Sequence, residues 1–284
     1  EKEYKRNAKE NTAIIKHFMN IMSERKNEFL NEERLGHFSP KYVSIIENIN
    51  RSEGSNFLYS QFINLVGLKM FCYALEAYTN DFFEFKLIKV GQKYRLDKTM
   101  FYDVDNDELL EERINMRRYM IYAGSETDKE TKEIMRLIFN SDYESLPPSC
   151  NFLIKELNHI FGAERNKYGK IINLFMTTRT GAEGISLMNV RQVHIMEPYW
   201  QPVLIDQVIG RARRMGSHKS LKPHEQNVEV YLYMATFEQR NIKDLMITAL
   251  KKDLAPFKDG LNKKGKLITS DEFLYIISER KKKI

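Results

Sequence analysis

The stretch from Leu174 to Leu221, LFMTTRTGAEGISLMNVRQVHIMEPYWQPVLIDQVIGRARRMGSHKSL, carries two chemical signals a short distance apart. The first is a turn rich in threonine and glycine, TTRTGAEGIS, which follows an apolar run. The second is QVIGRARR, Gln207 to Arg214, where arginines are closely grouped. Glycine-rich turns let backbone N–H groups approach phosphates, and guanidinium forks fit phosphate oxygens. We infer a surface that contacts a nucleic-acid backbone on one side and a nucleoside triphosphate on the other.

Composition indicates a globular protein with an ample core, because the 284 residues are 42% hydrophobic and 30% charged. No apolar run approaches the ~20 residues of a membrane span, and the start of the chain has no signal-peptide core. Cys72 and Cys150 are too few for a disulfide framework. We therefore expect a reducing, intracellular setting and no membrane partner. Because the chain begins with Glu1, we interpret it as a piece of a longer protein.

Positive charge is concentrated in the last part of the chain. From Arg211 to Ile284 there are 17 Lys/Arg against 9 Asp/Glu, whereas the whole chain has a net charge of only +6. The preceding residues are therefore slightly acidic overall. A basic segment attracts polyanions through contacts that do not depend on base sequence. A solvated tail is the alternative reading, above all for Arg280–Lys283.

Residues 1–35 have apolar positions at helical spacing but are too polar to form a core alone, so we predict a helical linker or brace ending near Gly36. Ser39 and Pro40 predict the cap and first turn of a helix to about Ile49. A strand at 56–60 and a helix at 62–78 then form an α/β unit. Residues 82–117 interrupt this pattern, and we predict an insertion that is partly a β-hairpin.

The α/β pattern resumes after the insertion. We predict strands at 119–123, 171–176, 192–196 and 228–234, and helices at about 127–139, at 152–161 and from Pro202. Thr127 with Glu130, and Thr269 with Glu272, have the spacing of capping boxes. Residues 237–284 are predicted to be a basic helical extension, with helices at 238–254 and 273–279.

Several motifs in this order resemble the C-terminal RecA-like domain of superfamily 2 helicases, closest to the Snf2-like branch. The sequence is also similar to early transcription factor helicase subunits and nucleoside triphosphate phosphohydrolases of large DNA viruses, poxvirus-like and African swine fever-type. The resemblance spans residues 38–234 and is carried by NFLYSQF, YAGSETDKETKEIMRLIF, TTRTGAEGISL, EPYWQP and QVIGRARRMG. It implies an α/β fold in which residues 36–236 form a RecA-like parallel sheet flanked by helices.

The resemblance implies an ATP-facing set of residues. Arg214 stands where the family has an arginine finger to the γ-phosphate, and Arg211 stands where a second arginine supports it. Such a finger is worth roughly 10³–10⁵ in rate because it neutralises charge in the transition state. Gln207 lies one helical turn before Arg211 and joins this network. Gly184, Ser186 and Gly210 complete the predicted ATP-binding set, with Gly210 expected to let the helix approach closely. The alternative is an arginine-rich helix on a solvated surface.

A second set is implied to bind nucleic acid. Thr178 matches the family threonine that binds a backbone phosphate, and Arg179 stands where a lysine is usual. Ser60 and Gln61 match a motif at the end of a strand, where α/β proteins place ligand sites. An ordinary strand-end cap, and an ordinary strand-to-helix turn at Thr178, are the alternatives. We interpret Trp200 as packing against the arginine helix and His194 as structural, and we expect no metal ligands in this chain.

The sequence has no GxxxxGK[ST] phosphate loop, which ATP hydrolysis in this family requires together with an acidic pair for Mg²⁺. We expect ATP and Mg²⁺ to be bound mainly by an N-terminal RecA-like lobe, and this chain to be inactive alone. The expected function is the second motor lobe of an ATP-dependent helicase or translocase in viral transcription, on DNA more than RNA. If viral, it is expected in host cytoplasm and virion. The alternative is a non-catalytic module that docks on RNA polymerase or a transcription factor.

Overall fold

The structure, a computed structural model, describes residues 2–103, 105, 108–124, 127–162, 165–236 and 269–283. Its sheet is built from β1 (Ser55–Tyr59), β2 (Phe82–Glu84), β5 (Arg117–Tyr122), β6 (Leu174–Thr177), β7 (Val190–Ile195) and β8 (Glu229–Leu232). These strands lie in the order β2–β5–β6–β1–β7–β8, and every neighbouring pair is parallel. A separate antiparallel hairpin consists of β3 (Leu87–Val90) and β4 (Lys93–Leu96).

Helices connect the strands. They are α1 (Lys2–Glu24), α2 (Lys26–Phe29), α3 (Glu32–Phe38), α4 (Pro40–Arg51), α5 (Leu68–Thr79), α6 (Glu111–Asn115), α7 (Lys129–Phe139), α8 (Asn151–Phe161), α9 (Arg179–Ala182), α10 (Pro202–Ala212) and α11 (Ser270–Lys282). Short 3₁₀ turns occur at Lys98–Met100, Pro148–Cys150 and Pro223–Glu225.

The sheet is covered on both faces. On β1, Phe57 and Tyr59 pack in a core cluster with residues of α7, α8 and α10, whereas Leu58 packs in a second cluster with residues of α3, α4 and α5. This alternation follows from the two-residue period of a strand, and burial on both faces is typical of parallel sheets. The predicted α/β fold, a parallel sheet flanked by helices, is confirmed.

The predicted strands are all present, with ends shifted by up to three residues. The largest shift is at β6, which begins at Leu174 instead of Ile171. The backbone N–H groups of Ile171 and Ile172 donate to Asn166 Oδ1, both at 2.8 Å, and not to a neighbouring strand. The side-chain amide of Asn166, outside the sheet, therefore determines the residue at which β6 begins to pair with its neighbouring strands.

The N-terminal helices differ from prediction at one point. Gly36 does not end the first helical segment, because α3 continues through it to Phe38. The boundary is set instead by Ser39, whose hydroxyl accepts from Tyr42 N, with Pro40 in the first turn of α4 as predicted. Leu30 and Leu35 are buried in the same cluster as α4 and α5. The division at residues 35 and 236 into linker, lobe and extension stays a prediction.

The helix predicted at 62–78 was placed too early, because α5 begins at Leu68. Residues 62–67 form a tight loop in which Leu68 N donates to Phe62 O at 3.1 Å. A Cβ on Gly67 would lie 2.1 Å from Phe62 O, so the loop can close this tightly only with glycine there. The apolar spacing of the loop residues continues the helical pattern, which is why sequence alone extended the helix over them.

The interruption at 82–117 contains the predicted hairpin, but FFEFKLIKV is two strands and not one. Phe82–Glu84 is β2, an edge strand of the main sheet, while Leu87–Val90 belongs to the hairpin. The hairpin packs on α8, where Glu156 accepts from the Arg95 guanidinium at 2.6 Å and from Leu96 N at 3.0 Å. The part of this segment outside the main sheet therefore begins after Glu84.

Only one of the two predicted capping boxes forms. Thr269 caps α11 by accepting from Glu272 N, and Glu272 accepts in return from Thr269 N. Thr127 does not cap α7; Asp128 does, since its carboxylate accepts from Thr131 N at 2.9 Å and from the Thr131 hydroxyl. An aspartate one residue later is a strong competitor for the cap position. The helix predicted at 238–254 lies outside the described residues.

His194 is structural in its surroundings, since it is fully buried in β7. Its Nδ1 lies 2.8 Å from the Tyr233 hydroxyl, and its ring stacks on that of Tyr231 with centroids 5.4 Å apart. Burial lowers the pKa of His194 to about 3. Between about pH 3 and pH 6.5 the folded protein therefore holds a neutral imidazole, whereas an exposed histidine would be charged.

This burial predicts a specific loss of stability in mild acid. Below a pH of about 6.5, the pKa of His194 in the unfolded chain, the unfolded chain binds a proton on this imidazole and the folded chain does not. Stability that is present at neutral pH is therefore lost as pH falls. Between pH 7 and pH 5 the loss from His194 is expected to be about 2 kcal/mol in the free energy of unfolding. Urea unfolding of this chain at both pH values measures it.

His194→Gln removes the titrating group and should reduce the pH dependence by that amount. His37→Gln, at an exposed histidine, is the matched control and should behave like wild type. Equal pH dependence in all three proteins would contradict the burial of a neutral His194.

Candidate nucleic-acid and nucleotide interface

Ser60 and Thr178 directly follow β1 and β6, which are neighbours in the sheet. Because the strands are parallel, both residues lie at its carboxyl edge, and Ser60 N donates to Thr177 O at 3.2 Å. Gln61 and Arg179 are next along the chain on the same edge. The structure thus brings the four residues predicted to bind nucleic acid to one edge of the sheet.

A carboxylate that the sequence analysis did not single out holds the Ser60 end of this edge. Glu197 accepts from the Ser60 hydroxyl at 2.8 Å and from Gln61 N at 3.1 Å. Burial raises the pKa of Glu197, while these two hydrogen bonds oppose that rise. Ser60 is fully buried and also accepts from Phe62 N at 3.1 Å. Its hydroxyl is therefore engaged within the chain, and the side-chain amide of the half-buried Gln61 donates to Pro198 O at 3.4 Å.

Thr178 and Arg179 stand at the start of the short helix α9. Arg179 is exposed, and Thr178 is buried with its hydroxyl 3.4 Å from that of Thr180. A Cβ on Gly181 would lie 2.1 Å from Tyr122 O and 2.3 Å from Thr177 Oγ1, so this turn requires glycine. The predicted need for glycine in this turn is therefore explained at Gly181 by a close approach to β5.

The segment from Thr178 to Asn189 crosses the sheet from one edge to the other. β6 ends at the carboxyl edge and β7 begins at the opposite edge, because the two strands run in the same direction. Gly184, with φ +78°, and the exposed Glu183 form a bend partway along. Ser186 lies eight positions after Thr178 in the sequence, so one short stretch of chain connects the two sites.

Arg136 of α7 and Asn140, which directly follows α7, hold the far end of this segment, and the sequence marked neither. Asn140 donates to Ser186 O at 2.9 Å and accepts from Met188 N at 3.0 Å. Arg136 donates to Ser186 O at 3.3 Å and is paired with Glu133. These contacts fix the backbone of Ser186 and leave its hydroxyl available for a partner.

That partner is Arg214, whose Nη1 donates to Ser186 Oγ. Leu187 N also donates to Arg211 O at 2.9 Å, so the two signals of the opening stretch meet in space. Arg211 is half-buried and Arg214 is exposed. Among the described residues, neither guanidinium forms an ion pair with a carboxylate.

One detail of the arginine helix differs from prediction. α10 ends at Ala212, so Arg214 lies in the turn after the helix. Gln207 is exposed one turn before Arg211, as the spacing predicted. A Cβ on Gly210 would meet nothing within 4 Å in the described part of the chain, so the close approach expected at Gly210 stays a prediction.

The packing of Trp200 against the arginine helix stays a prediction. The ring of Trp200 is 42% exposed, and Lys281 of α11 places its ammonium 3.8 Å from the ring centroid. The start of α11 is tied to the lobe by Asp271, which pairs with Lys41 at 2.5 Å and accepts from Ala235 N at 2.8 Å. The basic end of the chain thus lies next to the start of α10.

Within the described ranges, no three His, Cys, Asp or Glu side chains are grouped to hold a metal ion. No helix in the same ranges is both long and apolar enough to cross a bilayer.

Comparison with known proteins agrees with this geometry. The helicase conserved C-terminal domain family matches residues 108–216, a range that contains Thr178 to Arg214 but not Ser60. A putative ATP-dependent RNA helicase of Acanthamoeba polyphaga mimivirus is 28% identical over 208 residues, covering 73% of this chain and 28% of the relative. A termination factor NPH-I homolog of African swine fever virus is 30% identical over 206 residues, covering 71% and 26%.

Among solved structures, the C-terminal part of the Fun30 ATPase domain covers 85% of this chain and 52% of that chain at 12% identity. The TM-score of this match is 0.34. The chain spans about a quarter of the length of the two viral relatives. Residues 108–216 of this chain are therefore similar to the helicase conserved C-terminal domain family, and this range contains the motifs that meet at Ser186.

Proposed function

We propose that this chain is the C-terminal motor lobe of an ATP-dependent helicase or translocase that acts in viral transcription. The observation that carries the proposal is the contact between Arg214 and Ser186, at one end of a segment whose other end is Thr178. One continuous backbone therefore links an arginine cluster to a polar sheet edge. ATP-driven movement on a strand needs such a link between nucleotide and nucleic acid.

On the nucleotide side, Arg214 is the finger that neutralises charge on the γ-phosphate and Arg211 supports it. Gln207, Gly184, Ser186 and Gly210 line the same side. The absence of carboxylate partners for both guanidinium groups in the described residues leaves their charge available for an anion. ATP and Mg²⁺ would be held mainly by an N-terminal lobe, and this chain would close over them.

On the nucleic-acid side, Gln61, Thr178 and Arg179 contact phosphates of the strand. Ser60 supports Gln61 indirectly, because its hydroxyl donates to Glu197, which also accepts from Gln61 N. We propose DNA as the nucleic acid because of the Snf2-like motifs, although one relative is named as a putative RNA helicase. Phosphate contacts carry no information about the sugar, so competition between duplex DNA and RNA for the full-length protein decides this point.

The isolated chain is expected to bind nucleic acid weakly and to hydrolyse essentially no ATP. The arginines complete a reaction whose phosphate loop and Mg²⁺ ligands lie on another lobe. Binding should weaken with salt, because phosphate contacts release counterions. Fluorescence anisotropy with single-stranded and duplex DNA, and a phosphate-release assay, measure both expectations.

Arg179→Gln should weaken this binding, whereas Arg51→Gln should not. Arg51 is also exposed, but it ends α4 on the opposite edge of the sheet, so the two variants change the same charge in different places. Robust Mg²⁺-dependent ATP turnover by the purified chain would contradict the proposal. Equal binding by both variants would contradict the assignment of the nucleic-acid edge.

A further inference from the structure

The turn that carries Arg214 combines exposed residues with a buried serine and a buried histidine. Arg214 and Met215 are exposed, whereas Ser217 and His218 are buried, with 2% and 9% of their surface accessible. Burial of a hydroxyl and an imidazole requires hydrogen-bond partners, which here all lie within the turn or on the start of β7. The function described so far makes no use of this Ser–His pair.

The hydrogen bonds form a chain from the sheet to Arg214. His218 Nε2 lies 2.6 Å from Val190 O, and a carbonyl can only accept, so the ring proton is on Nε2. In the neutral ring Nδ1 then accepts from the Ser217 hydroxyl at 2.7 Å. The Ser217 hydroxyl has only this one proton, so it does not also donate to Arg214 O, which lies 2.8 Å away. Arg214 O accepts instead from Ser217 N at 3.0 Å, so the chain of bonds reaches Arg214 through the Ser217 backbone.

The far end of this chain is a fixed point. Val190 is fully buried at the start of β7 and pairs with Ser55 of the central strand β1. Asn189 N donates to Ser217 O at 3.0 Å, which fastens the same turn at a second place. The turn bends at Gly216, which has φ +78°, and Ser220 also donates to Asn189 Oδ1 at 2.8 Å.

We propose that Ser217 and His218 are positioning residues for Arg214, a role that presupposes the finger function proposed above. They do not touch the nucleotide; they fix the backbone from which the Arg214 side chain reaches across to it. An exposed arginine on a loose turn would spend most of its time away from the γ-phosphate. A preorganised one meets the transition state without further ordering, and a misplacement of ~1 Å can cost about 10²-fold in rate.

A nucleophilic role for the pair does not fit the geometry. His218 Nε2 is already bound to Val190 O, and Ser217 Oγ is enclosed by the turn. The pair therefore acts on Arg214 through the backbone and not on a substrate directly.

The test is a double-mutant cycle in the full-length protein. Ser217→Ala should lower kcat for ATP hydrolysis about 10- to 100-fold with KM for ATP unchanged within about twofold, since a displaced finger affects the transition state more than the ground state. In an Arg214→Ala background the same change should have no further effect on kcat, because residues that act as one unit are not additive. Single-turnover assays with labelled ATP give the sensitivity needed.

His218→Gln is the second variant, because a glutamine amide can still donate to Val190 O but offers Ser217 a different geometry, and it should show the same split and the same non-additivity. Lys219→Ala, at an exposed residue of the same turn, is the control and should keep wild-type kcat. Ser217→Ala that lowers kcat equally with and without Arg214, or that leaves kcat unchanged, overturns the positioning role. If Arg214→Ala itself leaves kcat unchanged, the proposed finger function fails first.

Discussion

Arg214→Ala in the full-length protein is expected to lower kcat for ATP hydrolysis about 10³-fold or more, while ATP binding is retained. The guanidinium is exposed, is held through Ser186 and has no carboxylate partner among the described residues, so its charge is available to a phosphate. Phosphoryl transfer depends on charge neutralisation at the transition state, which explains why one arginine is worth roughly 10³–10⁵ in rate. Steady-state hydrolysis and binding of a fluorescent ATP analogue separate the two effects.

Arg213→Ala is the matched control, since Arg213 is the adjacent exposed arginine at the end of α10. It should change hydrolysis by less than about threefold, a small effect on the free-energy scale of catalysis. Hydrolysis that survives Arg214→Ala would rule out the finger role. Loss of ATP binding in that variant would mean that Arg214 acts in the ground state as well.

The architecture was predictable where local and long-range preferences agree. The strands β1 and β6 are buried along their whole length, and Ser39 with Pro40 starts a helix at a place where nothing competes. Prediction failed where a neighbour in space decided the outcome. Residues 62–67 have apolar residues at helical spacing but form a loop that requires glycine at position 67. Ile171 donates its backbone N–H to Asn166 Oδ1 and therefore does not pair with a neighbouring strand.

The site was predictable only as a list of motif positions. The residues that hold those positions in place are distant along the chain and have ordinary sequence contexts. Glu197 is separated from Ser60 by 137 residues, and Asn140 from Ser186 by 46. No periodicity marks such contacts, because each is made by one side chain on a loop or helix end. Ser217 and His218 directly follow the arginine motif in the sequence, but a role for them could be inferred only from the contact of His218 with Val190 O in the structure.

The same limit applies to Arg118, a charged residue inside the strand β5. Its guanidinium is buried and donates to Ile171 O at 2.7 Å and to Arg113 O and Ile114 O, both at 3.1 Å, with a further contact to Lys170 O. Burial lowers its pKa to about 9, so the group is still protonated at neutral pH. Three aromatic rings surround it, the nearest being Phe161 with its centroid at 4.8 Å.

Arg118 therefore joins three parts of the lobe. Arg113 and Ile114 belong to α6 in the segment after the hairpin, and Lys170 and Ile171 precede β6. Carbonyl oxygens and ring faces together solvate the charge in place of a carboxylate. A smaller residue would leave several buried carbonyls without a donor and a cavity between the rings.

Arg118→Ala is accordingly expected to lower the free energy of unfolding of this chain by about 3–5 kcal/mol, the range for breaking a buried charged network. Urea unfolding at neutral pH measures it. Arg117→Ala is the matched control, because the neighbouring Arg117 is partly exposed and paired with Asp81 at 2.7 Å, an interaction worth about 1 kcal/mol or less. If the two variants lose equal stability, Arg118 is not the link between the segment after the hairpin and the sheet that carries the functional edge.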